Sequence, residues 1–281
     1  MVNELSVDIA TIEQDNNELL KRRPYLRNGL VLFNLKNKYP NNVLLAAMHN
    51  EQSDQLTKYG NYDDYYDYRT SDDRIDKLKS YLDDKDVLDL GCHQGMIAND
   101  IYLLSNFKSY VGCDIDHSLI RKAIKQVSDT LIVHKYKLPI PISKYLTLED
   151  RKMLLNNNNI QFNYADIMKY KINHSFDVVL CLGLIKWIHL EHTDIGLKQF
   201  LVKVYNLLNN SGVFVLELHD IDSYWKKLHP CNYLRYLQLQ ICPTQIPNIL
   251  INDIGYSKFK LINMDEQTGG FQRRQLYVFY K

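Results

Sequence analysis

Apolar and polar positions fall into blocks along the chain, and the blocks change period in a regular order. Between Asp72 and Leu82 the apolar residues Ile75, Leu78 and Leu82 recur at helical spacing. "DVLDL" then reads as a short buried strand that ends in Gly91. A helix is predicted over about residues 95–105, a second strand at "SYVGCDID", and a helix at "SLIRKAIKQV". Residues 133–159 interrupt this alternation. They carry two prolines and a run of asparagines, and they read as an insertion with one short helix. The pattern resumes with "IQFNYAD" and with "FDVVLCLGL", a buried strand expected to end near Leu182. Residues 194–209 place Leu197, Phe200, Leu201, Val204 and Leu208 on one helical face, and "SG" then precedes the strand "VFVLEL". The tail reads as two strands joined by a Gly-Gly turn, hence antiparallel.

Strands alternating with helices predict a parallel sheet covered by helices. Closure by an antiparallel C-terminal hairpin narrows this to a Rossmann-like class I methyltransferase fold with a mostly parallel seven-stranded sheet. Residues 1–50 have mixed signals and read as an N-terminal extension to a domain spanning 51–281.

Composition adds limits. The 281 residues are 46% hydrophobic and 24% charged, as in an ordinary globular protein. A net charge of +1 gives no global basic signal, so nucleic-acid binding would need a local patch. Five cysteines without C-x-x-C spacing argue against a disulfide framework or a zinc ribbon and favour a reducing compartment, nucleus or cytosol. No apolar run reaches the length of a membrane span.

Three segments carry chemistry. "VLDLGCHQG" runs from strand to loop, and Asp114 lies about 20 residues beyond it, where a carboxylate can accept both hydroxyls of a ribose. The loop lacks the glycine density that brings backbone N–H groups onto a pyrophosphate. Three readings stand: an ordinary turn, a dinucleotide site, or a site for S-adenosylmethionine, which has no phosphate. His93 reads as a loop residue. "YGNYDDYYDYR", residues 59–69, packs five tyrosines and one arginine, either as a packing segment or as rings and a guanidinium for a ligand. In "LCLGLIKWIHL", Lys186 lies just past the expected carboxyl edge of the sheet. It reads either as a solvated lysine or as an anion contact. His189 and His192 with Glu217 and His219 suggest a metal site, but the acidic pair that should accompany them is missing.

Together these segments resemble the methylphosphate capping enzyme family, which methylates the 5′ phosphate of small RNAs. The matching pieces are "YGNYDDYYDYR", "DVLDLGCHQG", "CDID", "NYAD", "FDVVLCLGLIKWIHL", "GLKQF" and "GGFQR", in family order over residues 59–274. The resemblance implies S-adenosylmethionine as cofactor and a small non-coding RNA, such as an RNA polymerase III transcript, as substrate. It also implies a nuclear location and an RNA-binding protein of the same particle as partner. It places Tyr66, Arg74, Gly91, Cys92, Gly95, Asp114, Ile115, Asn163, Tyr164 and Leu182 around the cofactor. It places Tyr65, Arg69, Lys186 and Arg273 at the RNA phosphates. The chain departs from the family pattern in three places. His93 replaces an asparagine, Gly183 and Ile185 replace hydroxyl side chains, and "ELHDIDSYW" keeps Glu217 but not the following proline and glutamine. These departures bear on the substrate wall, and they keep open a non-catalytic RNA-binding subunit or a 5′-monophosphate methyltransferase.

Overall fold

The structure, a computed structural model, describes residues 59–60, 62, 74–226, 232–264 and 274–281. The extension 1–50, Tyr65, Tyr66, Arg69, Arg273 and the Gly-Gly turn lie outside the described residues. Contacts cluster into two compact units. Among the described residues, one takes in 59–60, 62, 186–199, 219–226 and 232–246, and the other takes in 74–185, 200–218, 247–264 and 274–281.

The second unit holds the sheet. Its strands are β1 (Asp86–Leu90), β2 (Ser109–Asp114), β3 (Ile160–Tyr164), β4 (Phe176–Leu182), β5 (Leu208–Leu218), β6 (Lys258–Ile262) and β7 (Gln275–Tyr280). They are ordered β3-β2-β1-β4-β5-β7-β6. β1 to β5 pair in parallel, and β7 inserts antiparallel between β5 and β6. This is the class I methyltransferase sheet that the strand pattern implied. It follows physically from crossovers that cover both faces of nearly continuous apolar strands such as "VVLCL".

One face carries a row of helices: α1 (Arg74–Leu82), α2 (Met96–Leu104), α3 (His117–His134) and α4 (Leu148–Asn156), each packed on the next. α3 starts where the Asp116 carboxylate accepts the Ser118 and Leu119 amides, and it buries a stripe of Leu119, Ala123, Ile124, Val127 and Leu131. Of these, Ile124, Val127 and Leu131 meet Ile75, Leu78, Leu82, Val87, Ile97, Ile101, Val178 and Leu180 in one core. On the other face Phe214 stacks on Tyr256 at 6.1 Å between ring centroids, with Phe279 edge-on to Tyr256 at 5.8 Å.

Residues 133–159 turn out to be structured. After the end of α3 comes a 3-10 segment, Ile140–Tyr145, and then α4, capped reciprocally by Thr147 and Asp150. α4 packs on α3 and β3, and Leu155 enters the core.

The helix expected from residue 194 begins earlier. α5 spans Ile185–Leu207 and is kinked at Thr193, whose φ of 58° and ψ of −168° are not helical. It ends at Leu207, and β5 already starts at Leu208, which pairs with Phe176 before the register shifts. The first unit also contains α6 (Ile221–Lys226) and α7 (Tyr233–Gln238). Within it the buried His189 links two partners. Its Nε2 is 2.7 Å from Asp194 Oδ1, and its Nδ1 is 3.3 Å from the Tyr224 hydroxyl. Asp194 also accepts from the backbone N–H of Gln240 at 2.7 Å and of Ile241. Burial raises the Asp194 carboxyl, but these hydrogen bonds outweigh it and hold the group below its ordinary value.

Candidate active site

The loop between β1 and α2 is built by backbone geometry. Gly91 and Gly95 sit at φ 77° and 82°, in the left-handed region where a side chain is strained. Space is short as well. A Cβ at Gly91 would lie 3.3 Å from Leu184, and one at Gly95 would lie 3.0 Å from Ala123 of α3. His93 is also left-handed, at φ 51°. Asparagine, aspartate and histidine adopt that conformation more readily than most residues, so His93 suits the position where the family pattern has asparagine.

β2 holds the loop down. The amides of Gly91 and Cys92 both donate to the Cys113 carbonyl, at 2.8 and 3.1 Å. The His93 amide donates to Asp114 Oδ2 at 2.9 Å, and the Asp116 amide donates to Asp114 Oδ1 at 2.9 Å. Asp114 is therefore oriented through both oxygens, and each oxygen keeps a lone pair for another donor. Burial raises its carboxyl above the usual range, while the Asp116 and His93 amides pull it down.

The neighbouring strand ends bring in the remaining residues. β2 and β3 align Cys113 with Asn163 and Asp114 with Tyr164. Tyr164 is 60% exposed, and its ring is edge-on to His117 at 5.7 Å. Ile115 follows Asp114 in the turn into α3. Leu182 ends β4 in register with Glu217, and Gly183 behind it has φ 84°. Ile185 is fully buried where the family pattern has a hydroxyl.

A charged layer lies in this unit that the sequence did not disclose. Arg74, 1% exposed, directs Nη1 to Glu217 Oε1 at 3.4 Å, and Arg274 Nη1 donates to Glu217 Oε2 at 2.9 Å. Asp89 accepts the Tyr110 hydroxyl at 2.7 Å. Burial pushes the Asp89 carboxyl up to about 6, against the Tyr110 hydrogen bond and the Arg74 charge. The residues that pair here are distant in sequence, and no spacing rule links them. The prior signals were the placement of Arg74 beside the cofactor by the family resemblance and the retention of Glu217.

Burial drives three thiols upward: Cys92, Cys113 (to about 12) and Cys181. None is poised as a thiolate nucleophile. The loop and Asp114 instead suit a nucleoside. The glycines admit a close ligand, and an oriented carboxylate faces the ribose position with no phosphate cradle beside it. Adenosylmethionine fits this donor set. Gly91, Cys92, Gly95 and Asp114 would hold it, with Ile115, Asn163, Tyr164 and Leu182 at the adjoining strand ends.

In the other unit Lys186 is 4% exposed, so the solvated reading does not hold. Its Nζ donates to the Ser223 carbonyl at 3.2 Å and lies 4.3 Å from the Trp187 ring centroid. Trp187 is packed in turn by the start of the tyrosine-rich segment. Gly60, at φ 72°, lies where a Cβ would overlap the indole, and Tyr62 is 6.2 Å away between centroids. His189 is committed to Asp194 and Tyr224. Among the described residues no three His, Cys, Asp or Glu side chains gather as metal ligands.

Residues 176–281 match the family model of Bicoid-interacting protein 3 (Bin3). The chain is 31% identical over 272 residues to the human 7SK snRNA methylphosphate capping enzyme, an alignment covering 80% of this chain and 39% of that protein. It thus spans about two fifths of the human relative's length. It is 29% identical over 242 residues to the U6 snRNA methylphosphate capping enzyme Amus of Drosophila melanogaster, covering 82% of this chain and 77% of that protein. A third relative, the pre-miRNA 5′-monophosphate methyltransferase of Xenopus laevis, is 26% identical over 174 residues, covering 53% and 62%. The motifs and these relatives agree: the chain belongs to the Bin3 family.

Proposed function

We propose that this protein transfers the methyl group of S-adenosylmethionine to a 5′ phosphate of a small non-coding RNA. The observation that carries the reading is Asp114, held through both carboxylate oxygens beside a two-glycine loop in a chain whose relatives are named for RNA 5′-phosphate methylation.

When bound, adenosylmethionine supplies a sulfonium methyl that an oxygen nucleophile takes, the bonding pair returning to sulfur. The chain's part is positioning. A terminal phosphate is already largely ionised at neutral pH, with a second pKa of about 6, so no general base is needed. Alignment of reacting groups contributes several kcal/mol by itself. Asp114 orients the nucleoside end, and Leu182 and Arg74 flank the methionine end. Lys186, with Tyr65, Arg69 and Arg273, receives the phosphate. A cation held by a carbonyl and an indole suits that task, because it is presented in one geometry. The proposed acceptor is the γ phosphate of a polymerase III transcript, as the family resemblance implies; two of the relatives are named for capping an snRNA with a methylphosphate. The family resemblance in the sequence implies a nuclear location and a shared particle with an RNA-binding protein, and both belong to this proposal.

The test is label transfer from adenosylmethionine to small RNA before and after phosphatase treatment. Labelling should vanish with the 5′ phosphates, and robust labelling of dephosphorylated RNA would overturn the proposal. Lys186→Ala should lower transfer steeply while cofactor affinity stays within about threefold. An equal loss of both would remove Lys186 from the acceptor site.

A further inference from the structure

The face of the sheet that α1 covers changes character at its carboxyl edge. Paired residues on neighbouring strands share a face, so the register sorts this face into rows. Val87, Val178 and Val213 form one row, and Asp89, Leu180, Val215 and Val278 form the next. The last row is Leu182, Glu217 and Leu276. The apolar members pack with Ile75, Leu78 and Leu82 of α1. The two carboxylates sit at the end of that core, each only 2% exposed.

Arg74, the first residue of α1, links them. Its Nη1 is 3.4 Å from Glu217 Oε1 on β5, and its charge acts on Asp89 of β1. β1 and β5 flank β4, so this guanidinium lies across the end of β4, the strand that Leu182 terminates. From Asp114 on β2 to β4 is two strand spacings, about 10 Å, which the methionine chain of adenosylmethionine spans when extended from the ribose. The carboxylate that ends that chain needs a cation, and Arg74 supplies one. Glu217 is itself held from its far side, where Arg274 at the start of β7 donates Nη1 to Oε2 at 2.9 Å. An arginine at a helix end has many rotamers, and confining it to one on binding costs entropy. A carboxylate already fixed through both oxygens confines Arg74 beforehand, so that cost does not fall on the ligand.

We propose that Glu217 is a positioning residue for the cofactor: it holds the Arg74 guanidinium where the methionine carboxylate of adenosylmethionine docks, without itself touching the cofactor. This rests on the proposed placement of adenosylmethionine and not on the identity of the methyl acceptor.

Two ligands test it. S-adenosylhomocysteine carries the amino-acid end, and 5′-methylthioadenosine has the same nucleoside and sulfur without it. Calorimetry on the full chain measures both. Glu217→Gln keeps the volume and one acceptor oxygen for the buried arginines, which Glu217→Ala would remove. It should weaken S-adenosylhomocysteine by about tenfold and leave 5′-methylthioadenosine within about twofold, the second ligand reporting an intact pocket. Arg74→Met should weaken S-adenosylhomocysteine at least as much. Adding Glu217→Gln to Arg74→Met should then change nothing further, because a residue that acts through another is not additive with it. If Glu217→Gln fails to fold, Glu217→Asp, which keeps the charge but draws the oxygens back by one methylene, should show the same split between the ligands.

Equal losses for both ligands would make Glu217 a structural residue and overturn the proposal, as would unchanged affinity for both. A further loss in the Arg74→Met background would put Glu217 against the cofactor itself and overturn the positioning role. A wild type that binds no S-adenosylhomocysteine would overturn this proposal and the methyl-transfer proposal together. The expected split in a protein that labels no RNA would uphold this one and overturn the other.

Discussion

Asp114 carries more than one duty, which makes its substitution informative. Its carboxylate holds the His93 and Asp116 amides and, in the proposed complex, the ribose hydroxyls. Asp114→Ala should weaken adenosylmethionine binding by about 2 kcal/mol or more, from losing charge-assisted hydrogen bonds and loosening the loop. Asp114→Asn, which keeps one acceptor oxygen, should lie between. Calorimetry showing unchanged affinity in folded Asp114→Ala would end its assignment to the cofactor. Asp89 behaves differently. Its carboxyl sits at about 6 in the fold against an ordinary 3.8, with burial as the cause. A value raised on folding contributes stability that is present below about pH 4 and lost as pH rises through about 6. Asp89→Asn should therefore gain on the wild type between acid and neutral pH, by up to about 3 kcal/mol. Urea unfolding of both proteins at the two pH values measures it, and parallel pH profiles would contradict it. The position of Asp114 was legible, because strand, loop and carboxylate occur at a known spacing. The pairs Tyr110–Asp89, Arg74–Glu217 and Arg274–Glu217 were not, since 21, 143 and 57 residues separate the partners.

At the scale of elements, the sequence pattern located every strand of the sheet, the parallel ones as short apolar runs bounded by turn signals and β6 and β7 as a hairpin around a Gly-Gly pair. It placed the start of one helix too late, and it foresaw a short helix within residues 133–159 without locating it. The start of α5 is apolar on nearly all sides, with Ile185, Trp187, Ile188 and Leu190 all buried, so no polar face betrays the helix. α4 is polar on nearly all sides and buries only Arg151 and Leu155. Its anchor is the arginine. Arg151 donates to the Ser143 carbonyl and to Asp129, both at 2.6 Å, and to the Ser128 hydroxyl and the Lys125 carbonyl, tying α4 to α3 and the 3-10 segment. Arg151→Ala should cost about 3 kcal/mol, because the Ser143 carbonyl, the Ser128 hydroxyl and the Asp129 charge lose a buried donor together, Asp129 keeping only the more distant Lys125 at 3.9 Å. A denaturation midpoint unchanged from wild type would mean that residues 133–159 are the dispensable insertion their prolines suggested.

At the scale of the whole molecule, a sheet whose strand ends present an oriented carboxylate occurs in a chain whose relatives are named for methylating RNA 5′ phosphates. Everything chemical in the proposal depends on where the methyl group ends up. The direct measurement is mass analysis of the 5′-terminal nucleotide, released by nuclease from a 5′-triphosphorylated small RNA after reaction with adenosylmethionine. The account predicts a terminal nucleotide one methyl group heavier, with the added mass on the outermost phosphate and lost when that phosphate is removed. A methyl group that survives removal of the phosphates, on ribose or base, would contradict it.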